Sequence, residues 1–317
     1  MRILQFPPEV SLRASSLRGG EKVWLAMRFL SSASSIAVVT ISSMLAFGTS
    51  NAASASPTLD RIKQDGRIVF SYRNGAPPFS VRDRDGRIKG YSIDLCLRVA
   101  GAIQKQLAIP ELKIEWVSVE ADTRLDAVAT GKVDADCGTT TITLSRMETV
   151  DFSVPIFVDG GGVLVRTRKK PEKMAQLKGK RIAVISGTTT EKALNAALNA
   201  LDAPATIVPV TNGSEGMALL TGGKVDGYAG DRIVLTNLRQ RAPDPNSLQF
   251  VVGDFSYEPY GIVVRRDDPE FKLLVNRTLV NLYRTGDIDP IFQRWLGPMG
   301  KPGQLLHAMF YLNTLPE

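Results

Sequence analysis

The segment Asp136-Cys137-Gly138-Thr139-Thr140-Thr141-Ile142-Thr143-Leu144-Ser145-Arg146 gathers hydroxyls, a glycine-loosened turn and one guanidinium in a short span. Val133 to Cys137, which overlaps its start, reads as a buried strand leading into that turn. Hydroxyls, free backbone N–H groups and an arginine at one spot suit a carboxylate, because the planar guanidinium fork meets a carboxylate with two parallel bonds. The competing reading is an N-capped turn followed by a surface arginine. A second such cluster is Ser186-Gly187-Thr188-Thr189-Thr190-Glu191, after the strand-like Arg181 to Ile185. Thr188 and Glu191 have the spacing of a capping box. The helix they would start leaves N–H groups directed at any anion in front of it. A well-capped helix with no ligand gives the same pattern. Asp231, in Gly230-Asp231-Arg232, stands at a strand-to-helix turn where aspartate is a common N-cap.

These residues need a scaffold that brings strand ends together. Arg67 to Tyr72 alternates as a strand, and Asp85-Gly86 marks a hairpin turn. Ser92 to Leu107 has helical spacing, with Ile93, Leu97, Ala100 and Ile103 on one face. Leu112 to Val119 reads as a strand and Asp122 to Thr130 as a helix ending at Gly131. A second strand–helix set runs from Arg181 to Gln240: strands at Arg181–Ile185, Ala205–Val210 and Val225–Tyr228, helices at Thr189–Leu201, Ser214–Leu220 and Arg232–Gln240. Strands at Leu248–Val252 and Tyr260–Val264 and helices at Phe271–Arg284 and Pro290–Trp295 complete the chain. Such alternation predicts an α/β fold. Between the two sets, Gly160-Gly161-Gly162 interrupts a strand-like run, as expected where backbone bends or approaches something closely.

The composition is globular, 44% hydrophobic and 22% charged over 317 residues. The net charge of +7 falls to +4 (34 basic, 30 acidic) once residues 1–55 are set aside, and the remaining charges are interspersed, which argues against a nucleic-acid surface. The single histidine, His307, argues against a histidine metal site or a Ser-His-Asp triad. Lys22 and Arg28 precede the apolar run Ile36 to Phe47, and Ser50-Asn51-Ala52 and Ala53-Ser54-Ala55 follow as cleavage sites. Residues 1–55 therefore read as a secretory signal, with 1–26 a candidate mis-assigned extension ahead of Met27; an N-terminal anchor is the alternative. Cys96 and Cys137 would meet an oxidising compartment, and a disulfide or two buried thiols are both compatible with the sequence.

The phrase around Thr139 to Arg146 is similar to the carboxylate-gripping segment of type II periplasmic amino-acid-binding proteins. Gly90-Tyr91-Ser92-Ile93-Asp94, Leu177-Lys178-Gly179-Lys180-Arg181-Ile182-Ala183-Val184 and Arg265-Arg266-Asp267-Asp268-Pro269 also resemble that family. The likeness extends from about Leu59 onward and is strongest to the glutamate/aspartate-binding subgroup of ABC importers. It implies two α/β lobes with a cleft between them and a two-strand hinge, 56–159 with 258–317 forming lobe 1 and 160–257 lobe 2. It implies that Arg146, Thr141 and Thr139 hold a ligand's α-carboxylate, that Thr189 and Thr188 close on it from lobe 2, and that Asp231 takes the ammonium. Arg73 and Arg124 match the arginines that hold a side-chain carboxylate in that subgroup. Ala121 and Gly213 depart from it, standing where it offers a serine and a histidine. Phe79 is expected either as an apolar wall under the ligand or as plain core. The expected protein is a periplasmic monomer without cofactor, metal or catalytic residue. Its partners are an amino acid and an inner-membrane permease. A periplasmic hydro-lyase of the cyclohexadienyl dehydratase sort is the enzymatic alternative, with Glu191 and Glu258 as candidate acids.

Overall fold

The computed structural model describes residues 56–169 and 171–316; the expected signal segment lies outside the described residues. Two five-stranded sheets dominate. In the first, Arg67–Tyr72 pairs in parallel with Lys113–Ser118 on one side and Ala135–Asp136 on the other, and Val263–Arg265 then joins antiparallel, followed by Val150–Phe152. In the second, Arg181–Ile185 pairs in parallel with Thr206–Val210 and Gly227–Asp231, and Gly161–Arg166 and Leu248–Phe250 extend the sheet antiparallel. The chain leaves the first sheet through Phe157–Asp159 and returns from the second through Glu258–Tyr260. These two crossings pair as an antiparallel ribbon, the two-strand hinge.

Strand alternation sorts the second sheet's core into two faces. Val163, Val165, Ile182 and Val184 point toward Leu194 and Leu198 of the Thr189–Ala200 helix. Leu164, Ala183 and Tyr228 point toward Met217, Leu220 and Leu235 of the helices on the opposite face. The first sheet packs chiefly on the Tyr91–Gln106 and Pro269–Thr285 helices. The glycine crossing behaves as its composition predicts: a Cβ on Gly161 would lie 2.5 Å from the Phe255 ring, so only glycine lets these segments meet. Among the described residues no helix is long and apolar enough to cross a membrane.

Boundaries moved where strands are short. Val133–Cys137 contracts to Ala135–Asp136. Tyr260–Val264 divides at Gly261, its first residue joining the hinge ribbon and Val263–Arg265 joining the sheet. Val150–Phe152 is a strand that periodicity did not reveal.

Cys96, in the Tyr91–Gln106 helix, is bonded to Cys137 just after Ala135–Asp136, with Cα atoms 6.2 Å apart. The bridge ties the helix directly to the turn that carries Thr139 and Thr141. For a separation of 41 residues, loop-closure entropy gives a stabilisation of roughly 4 kcal/mol. The Cys96→Ala, Cys137→Ala variant is therefore expected to melt about 10 °C below wild type. An unchanged melting temperature in non-reducing buffer would contradict this.

Candidate functional site

In open α/β sheets, ligands bind beyond the carboxyl ends of the strands. Both sheets here direct those ends at one cavity. Arg73 follows Arg67–Tyr72, Thr139 and Thr141 follow Ala135–Asp136, and Arg124 opens a short helix, Arg124–Ala129. From the second sheet come Thr188 to Thr190, at the start of the Thr189–Ala200 helix, and Asp231, the last residue of Gly227–Asp231. All of these line the cavity, with Tyr228 and Val234 among its less polar walls.

The donor side is unusual. Arg73 and Arg124 are buried (7% and 2% exposed), although arginine is rarely so. Arg124 Nε donates to Thr140 Oγ1 (2.8 Å), and that hydroxyl donates to Asp136 Oδ2 (2.7 Å). The network anchors one edge of the guanidinium. Among the described residues, the buried Arg124 Nη1 and Thr139 Oγ1 have no hydrogen-bond partner. Burial and the neighbouring charges of Arg73 and Arg146 bring the Arg124 pKa down to about 9. Two buried guanidinium groups in each other's field, with an unmatched N–H, are an arrangement that an anion can complete.

The acceptor side centres on Asp231. As the residue before the Arg232–Gln240 helix it makes no side-chain cap, so the capping explanation of this aspartate does not hold. Its Oδ1 instead accepts from Thr190 Oγ1 (2.9 Å). It keeps part of its surface open, yet burial and the nearby Glu258 charge raise its pKa, with Arg73 pulling the other way. A carboxylate in such a place is stabilised by an ammonium.

Asp159 sits behind it, accepting from Ile233 N (3.0 Å) and Tyr260 OH (3.2 Å). Burial, then the Asp231 charge, pushes its pKa up to about 7. The folded protein therefore holds a proton there that the unfolded chain releases near 3.8, and stability falls as pH rises between these values. Asp159→Asn abolishes that dependence. Relative to wild type, the variant is expected to gain up to about 1.4 kcal/mol per unit from pH 4 to 7 and little beyond. Denaturant melts of both proteins from pH 5 to 8 check this; a pH-independent offset would contradict it.

Two expected residues sit differently from the rest. Arg146 does not line this cavity. It is half-buried behind Thr141, donating from Nη1 to the Thr141 carbonyl (2.7 Å), and it lines an adjoining open groove with Thr188, Thr189 and Lys192. Burial lowers its pKa, with Glu258 and Asp231 opposing. Thr188 caps the helix as its spacing predicts: Oγ1 accepts from Glu191 N (3.1 Å) and donates to Ile185 O (2.7 Å), while Glu191 Oε2 accepts from Gly187 N (2.9 Å). Its hydroxyl is thereby engaged within the turn. Phe79 is core, edge-on to Tyr91, Phe157 and Tyr260, and does not line the cavity. Gly213 opens no extra room: a Cβ there would lie 2.6 Å from Gly75 O, so the loop after Arg73 already fills that space.

Glu258 was missed as a cavity-supporting residue. It is 1% exposed and accepts hydroxyl bonds from Thr141, Thr189 and Ser256. Glu258-Pro259-Tyr260 places Glu258 and Tyr260 on one strand face, but three residues are too few for alternation to signal this in the sequence.

Two α/β lobes on a two-strand hinge, with a polar cavity fed by the strand ends of both, define a two-lobe binding protein of the type II periplasmic fold. The chain belongs to the bacterial extracellular solute-binding proteins, family 3, whose family model matches residues 68–298. It is 30% identical over 269 residues to the glutamate/aspartate import solute-binding protein of Escherichia coli K12 (85% of this chain, 89% of that one). It is 34% identical over 241 residues to the L-glutamate/L-aspartate-binding protein of Pseudomonas aeruginosa (75% and 79%). Among solved structures it is similar to an ancestral amino-acid-binding protein described as a precursor of cyclohexadienyl dehydratase, with a TM-score of 0.65, 28% identity and coverage of 76% of this chain and 99% of that one.

Proposed function

We propose that this chain captures an acidic L-amino acid, glutamate or aspartate, in the periplasm and delivers it to the permease of an ABC importer. Residues 1–55 serve as its export signal, and 56–159 with 258–317 and 160–257 act as the two lobes. The observation that carries the reading is the pairing of buried Arg73 and Arg124, the latter with an unpartnered Nη1, with Asp231 across one cavity. A guanidinium pair takes a side-chain carboxylate, and Asp231 takes an α-ammonium. The α-carboxylate is left to the backbone N–H groups of the Thr139–Thr141 turn and of the start of the Thr189–Ala200 helix, with Arg146, behind Thr141, adding positive charge from the adjoining groove. The names borne by the Escherichia coli and Pseudomonas relatives support the ligand class. Closure around the ligand belongs to the same reading. A ligand favours the closed form only through contacts made better there, and Thr189, Thr190 and Asp231 from the second sheet supply them.

The hydro-lyase alternative needs an acid directed into the cavity. Glu191 is engaged in capping and Glu258 accepts three hydroxyls, so neither stands ready to deliver a proton. Ligand-induced thermal shift against the standard amino acids and prephenate tests the reading. At 100-fold excess over Kd a ligand stabilises by about 2.7 kcal/mol, or roughly 5–10 °C. Glutamate or aspartate is expected to give the largest shift. A larger shift with a basic or apolar amino acid, or with prephenate, would overturn it.

A further inference from the structure

Glu258 lies at the hinge, the first residue of the returning strand Glu258–Tyr260. It is almost completely buried, yet three hydroxyls converge on it: Ser256 Oγ donates to Oε1 (2.7 Å), and Thr141 Oγ1 (2.6 Å) and Thr189 Oγ1 (2.7 Å) both donate to Oε2. Ser256 is itself fixed, because its Oγ accepts from Gly161 N (2.9 Å). Thr141 follows a strand of the first sheet and Thr189 opens a helix of the second, so one carboxylate oxygen gathers a hydroxyl from each lobe, the two only 3.1 Å apart. Both threonines line the cavity.

A threonine hydroxyl has one proton and two lone pairs, and left alone it rotates to donate or accept as its partner requires. A carboxylate only accepts. Glu258 therefore engages both protons and leaves Thr141 and Thr189 offering lone pairs to the cavity. We propose that Glu258 is a positioning residue for ligand selection: by fixing the direction of these two hydroxyls it makes them, with Asp231, a wall of acceptors that recognises the ligand's ammonium. Turning either hydroxyl toward a ligand carboxylate would leave a buried carboxylate lone pair unmatched. The same cavity is lined by two donors, the arginines Arg73 and Arg124, and by the Thr139 hydroxyl, which is free to donate. The cavity is thus polarised, and it discriminates amino dicarboxylates from dicarboxylates of the same length that lack the amine. This inference rests on the acidic-amino-acid reading above and adds the determinant for the amino group.

Glu258→Gln tests it with little change of shape. Retaining the Ser256 bond to its carbonyl, Gln turns its amide N–H groups onto Thr141 and Thr189 and frees their protons to point into the cavity. Calorimetric titration of both proteins with L-glutamate and with glutarate gives the ratio of affinities. Wild type is expected to prefer glutamate at least 100-fold, and the ratio is expected to fall at least tenfold in the variant, with glutarate bound as well as or better than before. A ratio within twofold of wild type overturns the role of Glu258 while leaving the ligand class standing. A wild-type protein that binds neither compound overturns the ligand class and this inference together. Should the Gln variant fail to melt cooperatively, Thr189→Val removes one acceptor instead and is expected to lower the same ratio, whereas Thr189→Ser retains it. An undiminished ratio in Thr189→Val is equally contradictory.

Discussion

Asp231→Asn is expected to weaken glutamate binding by roughly 30-fold to several-thousand-fold without lowering the melting temperature at pH 7. Removing one partner of a buried charge pair costs about 2–5 kcal/mol, at 1.4 kcal/mol per tenfold in affinity. The stability half of the prediction follows from the unliganded site. Burial and the Glu258 charge already disfavour the Asp231 carboxylate, and its own charge is what raises Asp159 after burial. An asparagine retains an acceptor for Thr190 and relieves both repulsions. Affinity and stability should therefore move in different directions. Calorimetry paired with thermal melts checks this, and wild-type affinity in the variant would remove Asp231 from the site.

The second large effect concerns ligand class. The double change Arg73→Ala with Arg124→Ala is expected to bring a glutamate preference of tenfold or more over glutamine down to near equality. In wild type, glutamine would leave two buried guanidinium groups facing a neutral amide, losing charge assistance on contacts that are about twice as strong as neutral ones. Arg124 already has an unpartnered Nη1 and a pKa held down to about 9, so the site is organised to be completed by a negative charge. Both substitutions leave Asp231 in place, so residual amino-acid binding should survive better than the preference does. A double variant that still selects glutamate over glutamine by the wild-type margin would contradict the assignment.

Much of this was legible in the sequence because the site is built at strand ends. Arg67–Tyr72, Arg181–Ile185 and Arg232–Gln240 coincide with their predicted limits, since each has a full run of its period and a turn residue or cap at its end. Arg73, Thr139, Thr141 and Thr189 follow strands and Asp231 ends one, so the strand pattern was enough to place these residues at one edge. What was hidden depends on distance along the chain. Val150–Phe152 and Glu258–Tyr260 are three residues each, too short to show a period. Glu258 finds its partners 117 and 69 residues away, and nothing local marks which way its side chain turns. The Cys96–Cys137 bridge likewise depends on a Cα separation that spacing does not encode. Arg146 shows the converse: its offset from the threonines was visible, but its turn places it behind Thr141 rather than in the cavity.

The most direct test of the central claim is calorimetric titration of the purified mature protein with L-glutamate and with L-glutamine under identical salt and pH. Two buried arginines facing Asp231 across one cavity predict that glutamate binds at least tenfold more tightly. Glutamine binding as tightly as glutamate would contradict the account.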